Sequence, residues 1–201
     1  MLRVSELAFL DWERVSLEVA AGEALCIQGA SGSGKSLLLR AVADLIPHEG
    51  EAYFEGKACS EFSPTEWRRL VSFLAAEALW WEDYVRDHFL GKVDAARLER
   101  LGLDPACLDW EVSRLSMGER QRLGLLRMLD QEPRVLLLDE PTSNLDERTS
   151  EAVEVLLLEY IEKRGACAVW VTHDGEQAKR IGKRVFRMKG KRLIESRRDE
   201  V

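Results

Sequence analysis

The sequence predicts an α/β protein built on a parallel sheet, and three observations carry that expectation. Short apolar runs (Ala24-Leu25-Cys26-Ile27, Val135-Leu136-Leu137-Leu138 and Ala166-Cys167-Ala168-Val169-Trp170-Val171) have the unbroken hydrophobicity of strands covered on both faces. Stretches with helical capping signals separate them, as crossover helices do in parallel sheets. One such run leads directly into the glycine-rich string Gly29-Ala30-Ser31-Gly32-Ser33-Gly34-Lys35-Ser36. The helix-like segment Leu37 to Leu45 comes next, giving the strand–loop–helix setting of a phosphate-binding loop.

Composition narrows the class. A chain of 201 residues with 46% hydrophobic and 32% charged residues is expected to form a single globular domain over 1–201. A net charge of −7 argues against nucleic acid as the partner. The basic cluster Lys189-Gly190-Lys191-Arg192 and the pair Arg197-Arg198 read as solvated surface. Cys26, Cys59, Cys107 and Cys167 match no metal-binding spacing, so reduced thiols in the cytoplasm are expected. No apolar run approaches the roughly 20 residues that span a bilayer, so direct membrane insertion is not expected.

In chain order, Leu2 to Phe9 and Val15 to Val19 read as strands, the second with clear polar–apolar alternation. The helix after the phosphate loop stops at Ile46-Pro47-His48-Glu49-Gly50, and Glu51 to Phe54 is strand-like. Ser63-Pro64-Thr65-Glu66 is a capping box opening a short helix, followed by the strand-like Leu70 to Leu74. Few β-branched residues occur from Glu77 to Arg114, which predicts helix there, with Asp94 capping Ala95 to Leu101. Ser116 and Glu119 form a second capping box, opening a helix to about Asp130. Asp146 and Gly165 bracket a helix from Arg148 to Lys163. A helix from Gly175 to Ile181 and two strands about Gly190 close the chain.

Functional groups collect at the carboxyl ends of strands in parallel sheets. Three buried strands here end in the glycine-rich loop, in Asp139-Glu140 and in His173, so these groups can converge on one triphosphate. The loop's backbone N–H groups, from Gly29 to Leu37, suit phosphate oxygens. Lys35 brings a full charge to the β- and γ-phosphates, and the Ser36 hydroxyl and Asp139 suit Mg²⁺. Glu140 is placed to act as general base on a water, and His173 to contact the γ-phosphate.

With these residues in order, the sequence resembles the ATP-binding-cassette (ABC) ATPases over nearly its whole length. Gly29 to Ser36 looks like their Walker A loop, and Val135 to Glu140 like their Walker B strand with its catalytic glutamate. Leu115-Ser116-Met117-Gly118-Glu119 is similar to the LSGGQ signature, departing from it at Met117 and Glu119. Pro141 to Asp146 resembles the D-loop, and Val171-Thr172-His173-Asp174 the switch-histidine loop.

The resemblance implies a phosphate-loop triphosphatase core, an antiparallel N-terminal subdomain and an inserted helical subdomain at roughly 76–132. It implies ATP and Mg²⁺ as cofactors and a head-to-tail dimer, expected to be a homodimer, in which Ser116 and Gly118 of one subunit meet the ATP on the other. It also implies a separate membrane permease, with the ATPase peripheral on the cytoplasmic face of the membrane. Glu119 is expected to reach back and cap its own helix.

Two positions depart from the family. The glutamine expected after Val71 to Leu74 is replaced by Ala75-Ala76-Glu77, so either Glu77 supplies the metal-seeking oxygen or the contact is absent. The adenine-stacking aromatic is Phe9 or Trp12, with Phe9 preferred. Trp80, Trp81 and Tyr84 form either a partner groove or a small core. A soluble, non-transport ABC ATPase and a nucleotide-gated module without turnover are the alternative functions. The second fits poorly with Glu140 and His173, which a pure binder does not need.

Overall fold

The computed structural model describes residues 1–91 and 93–196. The basic pair Arg197-Arg198 lies outside the described residues. In chain order the strands are β1 (Leu2–Ala8), β2 (Val15–Val19), β3 (Ala24–Gln28), β4 (Glu49–Phe54), β5 (Lys57–Ala58), β6 (Val71–Leu74), β7 (Val135–Asp139), β8 (Cys167–Val171), β9 (Arg184–Lys189) and β10 (Arg192–Ser196). The α-helices are α1 (Lys35–Val42), α2 (Pro64–Leu70), α3 (Ala95–Arg100), α4 (Met117–Asp130), α5 (Glu147–Arg164) and α6 (Gly175–Ile181).

Two sheets result. One is antiparallel with the order β2-β1-β4-β5, and the other has the order β10-β9-β3-β8-β7-β6. The larger sheet is parallel except for β10, which pairs antiparallel with β9 at the edge. Its central strands are apolar throughout because alternate side chains enter two different cores. Leu136, Leu138, Ala168 and Trp170 face a core shared with α4, α5 and α6. Val135, Leu137, Val169 and Val171 face the opposite core, shared with α1, α2 and the antiparallel sheet.

The capping signals act where the sequence placed them. Ser63 and Glu66 bond reciprocally at the start of α2, and Ser116 and Glu119 do so at the start of α4. Asp146 accepts from Thr149 N at the start of α5, and Gly165 ends that helix in the left-handed conformation. Trp67 of α2 is fully buried, and its Nε1 donates to Val42 O of α1 at 3.1 Å, so α2 anchors the far end of the phosphate-loop helix.

The expectation of helix from Glu77 to Arg114 is corrected. Among its described residues that segment holds only the six-residue α3 and 3-10 turns at 85–88, 105–109 and 112–114. An antiparallel bridge between Tyr84 and Glu111 ties the segment together. Gly91, Gly102 and Pro105 interrupt it, and Asp94 and Asp104 bond the backbone N–H groups of Ala96 and Ala106, so each helical start closes within a turn or two. Scarcity of β-branched residues permits helix but does not propagate it.

The aromatic cluster is split between core and surface. Trp80 packs half-buried against the core, while Trp81 stands 67% exposed. Between them lies the buried His88, whose ring meets both indoles edge-on at 4.7 and 4.8 Å.

Replacing Trp67 by alanine removes a fully buried indole and leaves a cavity between α1 and α2. The expected cost is about 3–5 kcal/mol of unfolding free energy, read from urea denaturation of the variant against the native chain.

Candidate active site

The site begins with strand register. Ile27 of β3 pairs with Val171 of β8, and Val171 pairs with Asp139 of β7, so three neighbouring strands end level with one another. With strands spaced about 4.8 Å, the loop after β3 and the acid at the end of β7 lie roughly 10 Å apart, with Thr172 and His173 between them. α1 leaves the glycine-rich loop and packs across β8 onto β7, which closes the remaining distance.

Local contacts shape the loop. Gly34 sits at the start of α1 with φ +91°, where a side chain is strained, and a Cβ there would lie 2.5 Å from the Trp12 indole. No side chain caps α1, so its first N–H groups, including those of Ser36 and Leu37, are left for an anion. Lys35 is buried, and its Nζ donates to Gly29 O at 2.8 Å and Ala30 O at 3.0 Å, drawing the loop closed over the helix end.

Ser36 and Asp139 come together. Asp139 is almost fully buried, and that burial pushes its carboxyl above the usual range against a hydrogen bond from Ser36, which pulls it down. A hydroxyl beside a buried carboxylate is a pair of hard oxygen donors, which suits a small oxygen-seeking cation such as Mg²⁺.

Glu140 follows directly, with φ +47°. A glutamate held in the left-handed region is strained, and the neighbours over-determine it. Its N–H donates to Val171 O at 3.1 Å, and its carbonyl accepts from Ser143 N at 3.2 Å. Its Oε2 stands 3.1 Å from Nδ1 of His173. The two residues edge a cleft of about 440 Å³ between the 140–145 segment and α6.

The aromatic assignment is corrected. Phe9 is 1% exposed and has no free face for an adenine ring. Its inward position follows from a bulge in β1. Leu2 and Val4 face the core, the register shifts between Val4 and Leu7 where Glu6 has φ +52°, and Leu7 and Phe9 then take up the inward alternation. Phe9 is instead the floor under Trp12, the rings stacked at 5.6 Å with 15° between planes. Trp12 lies against Gly34, beside the phosphate loop.

Glu77 is not gathered with the metal pair. It is exposed and borders clefts beside α4, together with Ala76, Ala78 and Gln121. Gln121 Nε2 holds Ala75 O at 3.4 Å, turning this segment toward α4.

At the start of α4, Glu119 Oε2 accepts from Ser116 N at 2.8 Å and from Ser116 Oγ at 2.7 Å. The hydrogen bonds from Ser116 hold the Glu119 carboxyl below the usual range. The acid is thus consumed by its own helix. Gly118 packs against Leu145 and Asn144 O, so the 141–146 segment braces the signature-like turn within one chain.

One group of residues escaped the sequence reading. Thr142, Gln177, Glu154 and Arg180 form a hydrogen-bonded chain beside Glu140 and His173, buried at Gln177 and Glu154 and ending in the exposed Arg180. Their only sequence signal is the spacing of Gln177 and Arg180, three apart on one helical face.

Fold and site together define a phosphate-loop nucleoside triphosphatase. Residues 12–143 match the family described as ABC transporter. The probable iron export ATP-binding protein FetA of Escherichia coli (strain K12) is 37% identical over 175 residues, covering 81% of this chain and 78% of its own. The lipoprotein-releasing system ATP-binding protein LolD of Alcanivorax borkumensis is 38% identical over 185 residues, covering 83% and 81%. In fold, the chain superposes with a TM-score of 0.82 on an ATP-binding cassette solved as a dimer in a post-hydrolysis state with ADP and phosphate. That likeness, at 24% identity, covers 98% of this chain and 99% of the other. The chain belongs to the ABC transporter family and is an ATP-binding, ATP-hydrolysing subunit of such a transporter.

The capping box yields a stability test. Ser116→Ala is expected to cost about 1 kcal/mol, because it removes the side-chain acceptor for Glu119 N. Glu119→Gln preserves a reciprocal partner and is expected to stay within about 0.5 kcal/mol of the native chain in thermal melts.

Proposed function

We propose that this chain is the cytoplasmic ATPase of an ABC transporter, acting as a homodimer that closes around two MgATP and drives a separate membrane permease. The observation that carries the reading is the level ending of β3, β8 and β7, which puts Lys35 and Ser36, Asp139 and Glu140, and His173 just beyond the ends of adjacent strands. Among the described residues no helix is long and apolar enough to cross a membrane.

In this reading the loop from Gly29 to Leu37 holds the phosphates through backbone N–H groups, and Lys35 turns its ammonium from the loop carbonyls toward the β- and γ-phosphates. Ser36 and Asp139 would hold Mg²⁺, which would neutralise negative charge on the phosphates. Glu77, exposed beside α4, would reach that shell only if the 75–77 segment moved. Glu140 takes a proton from the attacking water while the bond to ADP breaks. Nδ1–H of His173 donates to the Glu140 carboxylate and orients it, and in the imidazolium form Nε2–H donates to the γ-phosphate. Ser116 Oγ and the free N–H groups at the start of α4, with Gly118 allowing close approach, meet the γ-phosphate bound to the partner subunit. The permease docks at the cleft of about 560 Å³ bordered by Leu45, Phe73, Leu79 and Trp81, where apolar side chains stand exposed.

Size-exclusion chromatography with MgATP tests the dimer. Glu140→Gln is expected to elute as a stable ATP-dependent dimer, while the native chain hydrolyses ATP and elutes as a monomer. A Glu140→Gln chain that stays monomeric at saturating MgATP would overturn the reading.

Trp12 replaces Phe9 as the proposed adenine platform. Trp12→Ala is expected to weaken ATP binding about tenfold, the loss of one base–aromatic stack, while Trp12→Tyr retains most of it. Phe9→Ala should instead lower the melting temperature, because it removes a buried core ring. Nucleotide titration and melting of the three variants separate the roles.

A further inference from the structure

The hydrolytic pair, Glu140 and His173, comes from two separate strand ends, and Glu140 is strained as well. Something must hold the two segments at a fixed separation. Two residues beyond Glu140, Thr142 Oγ1 accepts a hydrogen bond of 2.8 Å from Nε2 of Gln177, which lies four residues beyond His173 on α6. This bond runs alongside the Glu140–His173 contact and spans the same gap.

The amide of Gln177 has no freedom to turn over. Its Nε2 also donates to Glu154 Oε1 at 2.7 Å, so a flipped amide would bring its oxygen against a carboxylate. Glu154, 3% exposed on α5, is itself locked by Arg180 through two bonds, Nε to Oε2 and Nη2 to Oε1, each 2.8 Å. Gln177 is 4% exposed. The carboxylate therefore sets the amide's orientation, and the amide delivers its second N–H to Thr142. The chain of contacts begins at a rigid helix and ends beside the catalytic acid.

We infer that Thr142, Gln177 and Glu154 are positioning residues that fix Glu140 relative to His173, acting on the hydrolytic step and not on ATP binding. The inference rests on the proposed roles of Glu140 and His173. None of the three is needed to touch ATP, and each acts through backbone it holds in place. Arg180, at the outer end of the relay, keeps the Glu154 carboxylate turned inward.

Thr142→Val tests it, because valine keeps the shape and removes the acceptor, while Thr142→Ser keeps the acceptor. Steady-state ATP hydrolysis is expected to show kcat reduced about tenfold in Thr142→Val, with KM for ATP within about twofold of native, and near-native kcat in Thr142→Ser. The double variant Glu140→Gln with Thr142→Val is expected still to dimerise on MgATP, since binding is untouched. A native kcat in Thr142→Val would overturn the inference. So would a loss of kcat that Thr142→Ser fails to restore, or one matched by a rise in KM and a fall in melting temperature. If Glu140→Gln alone does not dimerise, the dimer reading fails separately, because the kcat comparison stands without it.

Discussion

The site depends on β3, β8 and β7 ending at the same level, and that level is set by packing on both faces of the sheet. Val135 and Leu137 belong to one core and Leu136 and Leu138 to the other. A slip of one residue in β7 would exchange every side chain between the two cores and carry Asp139 away from Ser36. The cores and the active site are therefore one packing problem, and the chemistry inherits its precision from buried aliphatic contacts on both sides.

On that frame the protein places several conformations that are costly by themselves. Gly34 turns left-handed under an indole, Glu140 adopts a positive φ, and Asp139 is buried with its carboxyl pushed up. Each is held by specific neighbours: Trp12 over the loop, Val171 and Ser143 on the Glu140 backbone, Ser36 on Asp139. A site already bent to shape needs less reorganisation when substrate arrives, which is where such strain is repaid. The exposed ion pairs elsewhere, such as Arg14 with Glu49, contribute little by comparison.

The segment between β6 and α4 obeys different rules. Its short turns are joined by single bonds, with His88 Nε2 accepting from the backbone N–H groups of Trp81 and Glu82 and Arg127 lying 4.7 Å over each of the two indoles. One indole completes the core and the next faces solvent. A region organised by a few polar and aromatic contacts can present an apolar surface without needing that surface for its own stability, which suits a subunit whose work is transmitted to another chain.

The elements that sequence alone determined are those whose causes are local: the capping boxes of α2 and α4, the Asp146 and Gly165 limits of α5, the two-faced apolar strands and the glycine-rich loop that leads from β3 into α1. Spacing also ordered Asp139, Glu140 and His173 at strand ends, because in a parallel sheet that order is a spatial statement. What tertiary structure decided was which way a side chain faced once register and neighbours were known. The bulge at Glu6 turned Phe9 inward and left Trp12 beside the loop, and nothing in the run from Leu7 to Trp12 announces it. The Gln121 bond to Ala75 turned the segment carrying Glu77 toward α4. Thr142, Gln177, Glu154 and Arg180 meet from three separate segments, and their bonds exist only after α5 and α6 have packed. Caps, turns and alternation act within a few residues, whereas facing depends on contacts that the chain makes only when its distant parts meet.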